Sequence, residues 1–174
     1  MFEEYLFDCY SFYLIAEDCS DEKEAKRYYR ASAFCAASSI EAFSNYIADT
    51  LNKGNSLSQH EISFLLDKRL YLDVDKVELK EIIEYHRIED KLKVFIKKFS
   101  KTFDFNSQEW SQFMEFKKFR DRLVHPREMD EDILKKEYKS NIKKGIRSII
   151  LIMNVISKGI FRKPLRKRLL DLIP

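Results

Sequence analysis

Residues 116–126, Phe-Lys-Lys-Phe-Arg-Asp-Arg-Leu-Val-His-Pro, bring a guanidinium, a carboxylate and an imidazole within six positions, the side-chain types that grip an anion and move a proton. On a helix at about 100° per residue with Phe113 at 0°, Val124 falls near 20°, Trp110 near 60°, Met114 near 100°, Phe119 near 240°, Leu123 near 280° and Phe116 near 300°. Arg120 falls near 340°, in the middle of this apolar arc, whereas Arg122 falls near 180°, on the opposite side. A guanidinium aimed into an apolar face is costly unless it is paired or reaches a cleft, because it cannot shed its charge. Asp121, near 80°, lies at the edge of the arc as a candidate partner. His125 precedes Pro126, whose ring disfavours helical geometry at the residue before it, so the helix is predicted to end there with the imidazole displayed. The plainer reading stays open: His125 caps the helix against its dipole, and Arg120 with Asp121 forms a structural ion pair.

Other candidate groups are fewer. Ser38, Glu41 and Asn45, spaced 3 and 4, make a polar stripe beside the apolar stripe of their helix, either for binding or for hydrogen bonds that fix neighbouring helices. His60 and His86 read as ordinary surface or boundary residues. The three glycines are far apart, so there is no phosphate loop, and neither HExxH nor a carboxylate-histidine pair at helical spacing occurs. No metal and no cofactor are implied.

The elements that must carry these groups are helices. Tyr29, Ala33, Ala36, Ile40, Phe43 and Ile47 step by 4 and 3, as do Tyr85, Ile88, Leu92, Phe95 and Phe99. Further stripes run through Ile142, Ile146, Ile149, Met153 and Ile156 and through Phe2, Leu6, Cys9 and Tyr13. Ser58 with Glu61, Asp75 with Glu78 and Asn106 with Glu109 have the spacing of reciprocal N-terminal caps. Helices are therefore predicted near 2–17, 21–50, 59–70, 76–101, 107–124 and 131–158, with no strand. The small side chains of residues 31–39 allow close helix approach at a bundle centre.

At 174 residues, with three Gly and three Pro, the chain suits a single domain and leaves little turn chemistry for an all-β fold. The expected architecture is an all-α, up-and-down bundle of five to six helices, its core at about 22–158 and a basic tail at 159–174. The tail reads first as a short helix docked by its leucines, next as a phosphate contact and last as an interfacial membrane segment. A net charge of +3 does not by itself demand a nucleic-acid partner. Three cysteines without a CxxC pair suggest neither disulfides nor zinc, and the acidic N-terminus and short apolar runs suggest neither export nor a membrane span. A cytoplasmic location is the expectation.

Arg120-Asp121-Arg122-Leu123-Val124-His125 resembles the R-x4-6-H motif of HEPN domains, in which the Arg is typically followed by a polar residue. The resemblance extends over residues 22–158: a small-residue helix carrying AASSIEAFSNYI, intervening helices, the motif helix and a closing helix. It implies a helical homodimer whose two motifs meet in one cleft and, in many members, metal-independent endoribonuclease activity in toxin, RNA-processing or phage-defence settings. Some relatives are non-catalytic modules that bind nucleotide, nucleic acid or protein. The implied catalytic residues are Arg120, His125 and Asp121, and the implied substrate is RNA, cleaved by its own 2′-hydroxyl. Glu41, Asn45, Ser38, Arg122 and Arg127 are the candidate substrate-binding residues. A nucleotidyltransferase-type antitoxin is the partner expected of a toxin. One chain offers one well-placed histidine, and a two-fold dimer would bring two copies of His125 together.

Overall fold

Helices make up most of the described residues, and the stripes of α2 and α6 are buried throughout. The computed structural model describes residues 1–54, 56–125 and 133–174. In chain order the elements are α1 (Phe2–Asp18), α2 (Glu22–Lys53), α3 (Gln59–Leu65), β1 (Lys68–Asp73), β2 (Glu78–Ile83), α4 (Ile88–Phe99), α5 (Gln108–Val124), α6 (Lys135–Phe161) and α7 (Lys167–Leu170). The caps explain several starts. Asp21 accepts from the Glu24 amide at the head of α2, and Ser58 with Glu61 forms the predicted reciprocal pair at α3. The cap of α5 is Ser107, one residue later than Asn106, and its hydroxyl accepts from the Trp110 amide.

The axis of the bundle is α2, whose 32 residues span roughly 48 Å. Its Tyr29, Ala33, Ala36, Ile40, Phe43 and Ile47 are all buried, and α1 and α6 pack along it while α5 packs on α6. Close approach of α5 and α6 depends on Gly145, where a Cβ would stand 2.2 Å from Phe116 Cδ2. Within α1, Cys9 is fully buried, its Sγ 3.4 Å from Ser32 Oγ, and burial pushes its thiol up to about 12. No helix among the described residues is long and apolar enough to cross a membrane.

The sequence reading is corrected between residues 66 and 87. The helix expected at 59–70 stops at Leu65, and the one expected at 76–101 is confined to Ile88–Phe99. Between them β1 and β2 form an antiparallel hairpin in which Leu72 faces Leu79 and Leu70 faces Glu81. Asp75 and Glu78 are not a helix cap: Asp73 Oδ1 accepts from the Asp75 amide at 3.2 Å and helps close the turn. Tyr85, expected to open a buried stripe, is 85% exposed.

The tail follows its first reading. Leu165, Leu169 and Leu172 are buried, and Arg166 and Arg168 both reach Glu3 of α1.

Candidate functional site

Phe113, Phe116, Lys117, Arg120 and Asp121 recur every three or four residues, so α5 turns one continuous face toward α2 and the start of α4. Between these elements lies an open cleft of about 190 Å³. Its floor is apolar, formed by Ala37, Ile40, Ile88, Phe113 and Phe116, and its rim carries Glu41, His86, Arg87, Lys117, Arg120 and Asp121.

Arg120 is only half enclosed. Its Nη1 donates to Asp121 Oδ1 at 3.1 Å, realising the predicted pairing, while its Nε is buried with no partner among the described residues. Lys117 lies 3.2 Å from Asp121 Oδ2 and 3.6 Å from Glu89 Oε1, and Glu89 Oε2 is buried and unpaired among the described residues. The Glu41 carboxylate makes no hydrogen bond or ion pair among the described residues. Burial pushes it above the usual carboxylate range, Lys91 and Arg120 pull it back, and Asp67 and Glu89 add to the rise. Cations and carboxylates thus share the cleft, and Arg120 Nε and Glu89 Oε2 lack partners among the described residues, which leaves hydrogen-bonding capacity for a ligand.

Behind the rim, Asp67 fixes the base of the hairpin. It takes a left-handed backbone (φ 57°), which Asp tolerates better than most residues. Its Oδ1 accepts from the His86 amide at 2.8 Å, its Oδ2 accepts from the buried Lys91 ammonium at 2.5 Å, and its carbonyl accepts from the Glu84 amide at 2.9 Å. The His86 ring is stacked on Phe64 with centroids 4.0 Å apart. That one carboxylate thus sets the direction in which the chain enters α4 and holds His86 at the cleft.

The candidates from sequence separate. Arg120, Asp121 and Glu41 meet in this cleft. Asn45 lines a different one, with Phe2, Glu3, Tyr46, Arg166 and Arg168, so the stripe through Ser38, Glu41 and Asn45 does not converge on one site. Ser38 is half-buried on α2 and lines neither of these clefts. His125 is the C-cap of α5, exposed, its amide donating to Asp121 O at 2.9 Å, and it does not line the Arg120 cleft. Arg127 lies outside the described residues. Arg122 points away, as the helical angles predict, but it is not simply solvated: it reaches Glu137 of α6 at 3.0 Å. Exposure alone does not separate the two arginines, 38% for Arg120 and 43% for Arg122; their partners do.

Sequence reasoning missed His86, Arg87 and Lys117. For Lys117 a signal existed, since it sits one turn before Arg120 on the same face. His86 and Arg87 reach the cleft only because the hairpin returns the chain there. Among the described residues no group of three or more His, Cys, Asp or Glu is placed to hold a metal ion. No protein-family model matches the chain, and neither does any curated protein or solved structure.

Proposed function

We propose that the protein is a metal-independent endoribonuclease of the HEPN type, acting as a homodimer in a toxin, RNA-processing or phage-defence role. The observation that carries this reading is Arg120: a half-open guanidinium at a cleft, braced by its neighbouring carboxylate, with one buried donor unpaired, five residues before an exposed helix-end imidazole. A guanidinium so held is suited to a phosphate, its fork meeting the charge that develops on the non-bridging oxygens. In the reaction one imidazole removes the proton of the 2′-hydroxyl, that oxygen attacks the adjacent phosphorus, and a second imidazole protonates the departing 5′-oxygen. His125 from two protomers would supply both. The products are a 2′,3′-cyclic phosphate and a free 5′-hydroxyl.

The alternative, a non-catalytic module that binds nucleotide, nucleic acid or a protein, draws on one observation: within a single chain His125 does not line the Arg120 cleft. The deciding experiment is incubation of the purified protein with single-stranded RNA in EDTA. Cleavage to cyclic phosphate, with DNA spared, supports the endoribonuclease. Loss of cleavage on chelation, or equal cleavage of DNA, overturns it. Adding His125→Ala subunits to the wild type should lower activity below the remaining share of wild-type subunits, because each heterodimer keeps one of the two imidazoles, and a strictly monomeric protein cleaving at full rate would refute the composite site.

A further inference from the structure

The C-terminal ends of α4 and α6 converge because Gly159 has no side chain. A Cβ there would stand 2.6 Å from Phe99 O and 2.2 Å from Ser100 Oγ. Beside this contact opens a cleft of about 560 Å³, lined by Lys98, Lys101, Lys158 and Arg162 together with Thr102 and Ser100, whose hydroxyl donates to Val155 O at 3.1 Å. No carboxylate lines it. Lys98 is paired with Glu61 at 2.7 Å, but Lys101, Lys158 and Arg162 are exposed and make no ion pair among the described residues.

Arg162 adds a second observation. It ends α6 in the left-handed conformation, φ 58° and ψ 20°, the helix-ending geometry that glycine adopts at least cost. An arginine there places a guanidinium at the mouth of the groove at the expense of backbone strain. Two helix ends do attract cations, and that accounts for part of the charge. It does not account for an arginine where a glycine would be easier.

The groove is also connected to the Arg120 cleft by one element. Arg87 and Ile88 at the start of α4 line the cleft, and Lys98 and Phe99 at its end line the groove, roughly 17 Å away at 1.5 Å per residue.

We infer that the groove formed by Lys101, Lys158 and Arg162 binds the phosphodiester backbone of single-stranded RNA, as a second site beside the Arg120 cleft. The choice of RNA among polyanions rests on the function proposed above; the groove itself does not.

The test uses a 20-nucleotide RNA made uncleavable by 2′-O-methylation, with affinity read by fluorescence anisotropy across a salt series. The groove variant is Lys101→Gln, Lys158→Gln, Arg162→Gly, the last change being one the left-handed backbone accepts. The control variant removes three exposed lysines elsewhere, Lys23→Gln, Lys53→Gln and Lys143→Gln. Each lost phosphate contact lowers the slope of log affinity against log salt by about 0.7 for a single strand, so the groove variant should lose about 2 in slope. It should also lose about tenfold or more in affinity at low salt, and the control little of either. Equal losses in both variants overturn the inference. So does labelled polyglutamate of matched charge binding as tightly as RNA and in the same groove-dependent way, since the groove would then suit an acidic protein. RNA cleavage by the wild type without groove-dependent binding overturns this inference alone, whereas groove-dependent binding without cleavage supports it and overturns only the endoribonuclease reading.

Discussion

Two polar clusters lie within this bundle, and they are built on opposite terms. In the first, Glu17 accepts a hydrogen bond from the Tyr29 hydroxyl and an ion pair from Lys139, so each of its oxygens has a partner. Burial alone would raise the Glu17 carboxyl, but the Lys139 and Tyr29 bonds outweigh it and hold the group below the usual range. Tyr29 is pushed well up by burial and by the carboxylate beside it. In the second cluster, among the described residues, Glu41 has no partner and is pushed up, while Arg120 Nε and Glu89 Oε2 are buried and unpaired. Satisfied groups hold helices together. Groups left short beside an open cleft are destabilising unless something else completes them, and that is the physical reason for placing function at Arg120 rather than at Glu17.

The largest effect should come from Arg120→Ala. Losing a preorganised donor to transition-state charge costs a factor of about 10² to 10³ in rate, so RNA cleavage should nearly vanish while the melting temperature holds. Arg120→Lys should recover little, lacking the planar fork, and Arg122→Ala should keep most activity. Equal losses in Arg120→Ala and Arg122→Ala, or an unfolded Arg120→Ala, would break the comparison at its functional end. Next is Gly145→Ala, which drives a methyl into the Phe116 ring beneath the cleft; denaturant unfolding should show a loss of about 1 to 3 kcal/mol. Tyr29→Phe tests the structural cluster. Removing a hydrogen bond to a carboxylate should lower stability by about 1.5 kcal/mol and leave RNA cleavage unchanged.

The smallest effect is the most diagnostic, because the two carboxylates should respond to pH with opposite sign. Glu17, held down in the fold, contributes stability that is present above the ordinary value of 4.5 and is lost as pH falls through its folded value. Glu41, held up, takes a proton from solution on folding in the window above 4.5, so its contribution to stability decreases as pH rises through that window. Relative to the wild type, Glu17→Gln should become less stable on raising the pH from acid toward neutrality, and Glu41→Gln more stable. Denaturant midpoints measured in parallel would read this directly, and slopes of the same sign would mean that Glu41 has a partner after all.

The helices were legible because their signal is redundant: α2 repeats its apolar step from Tyr29 to Ile47, about five turns, and α6 from Ile142 to Ile156, about four, so one misplaced residue does not disturb the count. The hairpin was not. Its turn, Val74 to Val77, contains no Gly, Pro or Asn, and its left-handed position is taken by Val77 at φ 54°, a β-branched residue that ordinarily avoids that region. Its strands are exposed on most positions, so no buried alternation marks them. The site divides along the same line. Arg120, Asp121 and Glu41 sit on long helices whose faces can be read from spacing, whereas His86 and Arg87 arrive through the hairpin that spacing missed.

The fully buried Cys9 turns the fold into its own stopwatch. A thiol that ionises only near pH 12 and is sealed between α1 and α2 gives almost no thiolate to a labelling reagent while the protein is native. Alkylation of Cys9 at neutral pH must therefore wait for α1 to lift from α2. When closing is fast relative to labelling, the observed rate divided by that of a free cysteine is the population in which those helices have parted. Cys19, half-buried, supplies an internal comparison on the same chain, whereas burial also pushes the Cys35 thiol up. Mass spectrometry of the three labelled peptides would thus clock the opening of this one helix pair without a denaturant and without altering a residue.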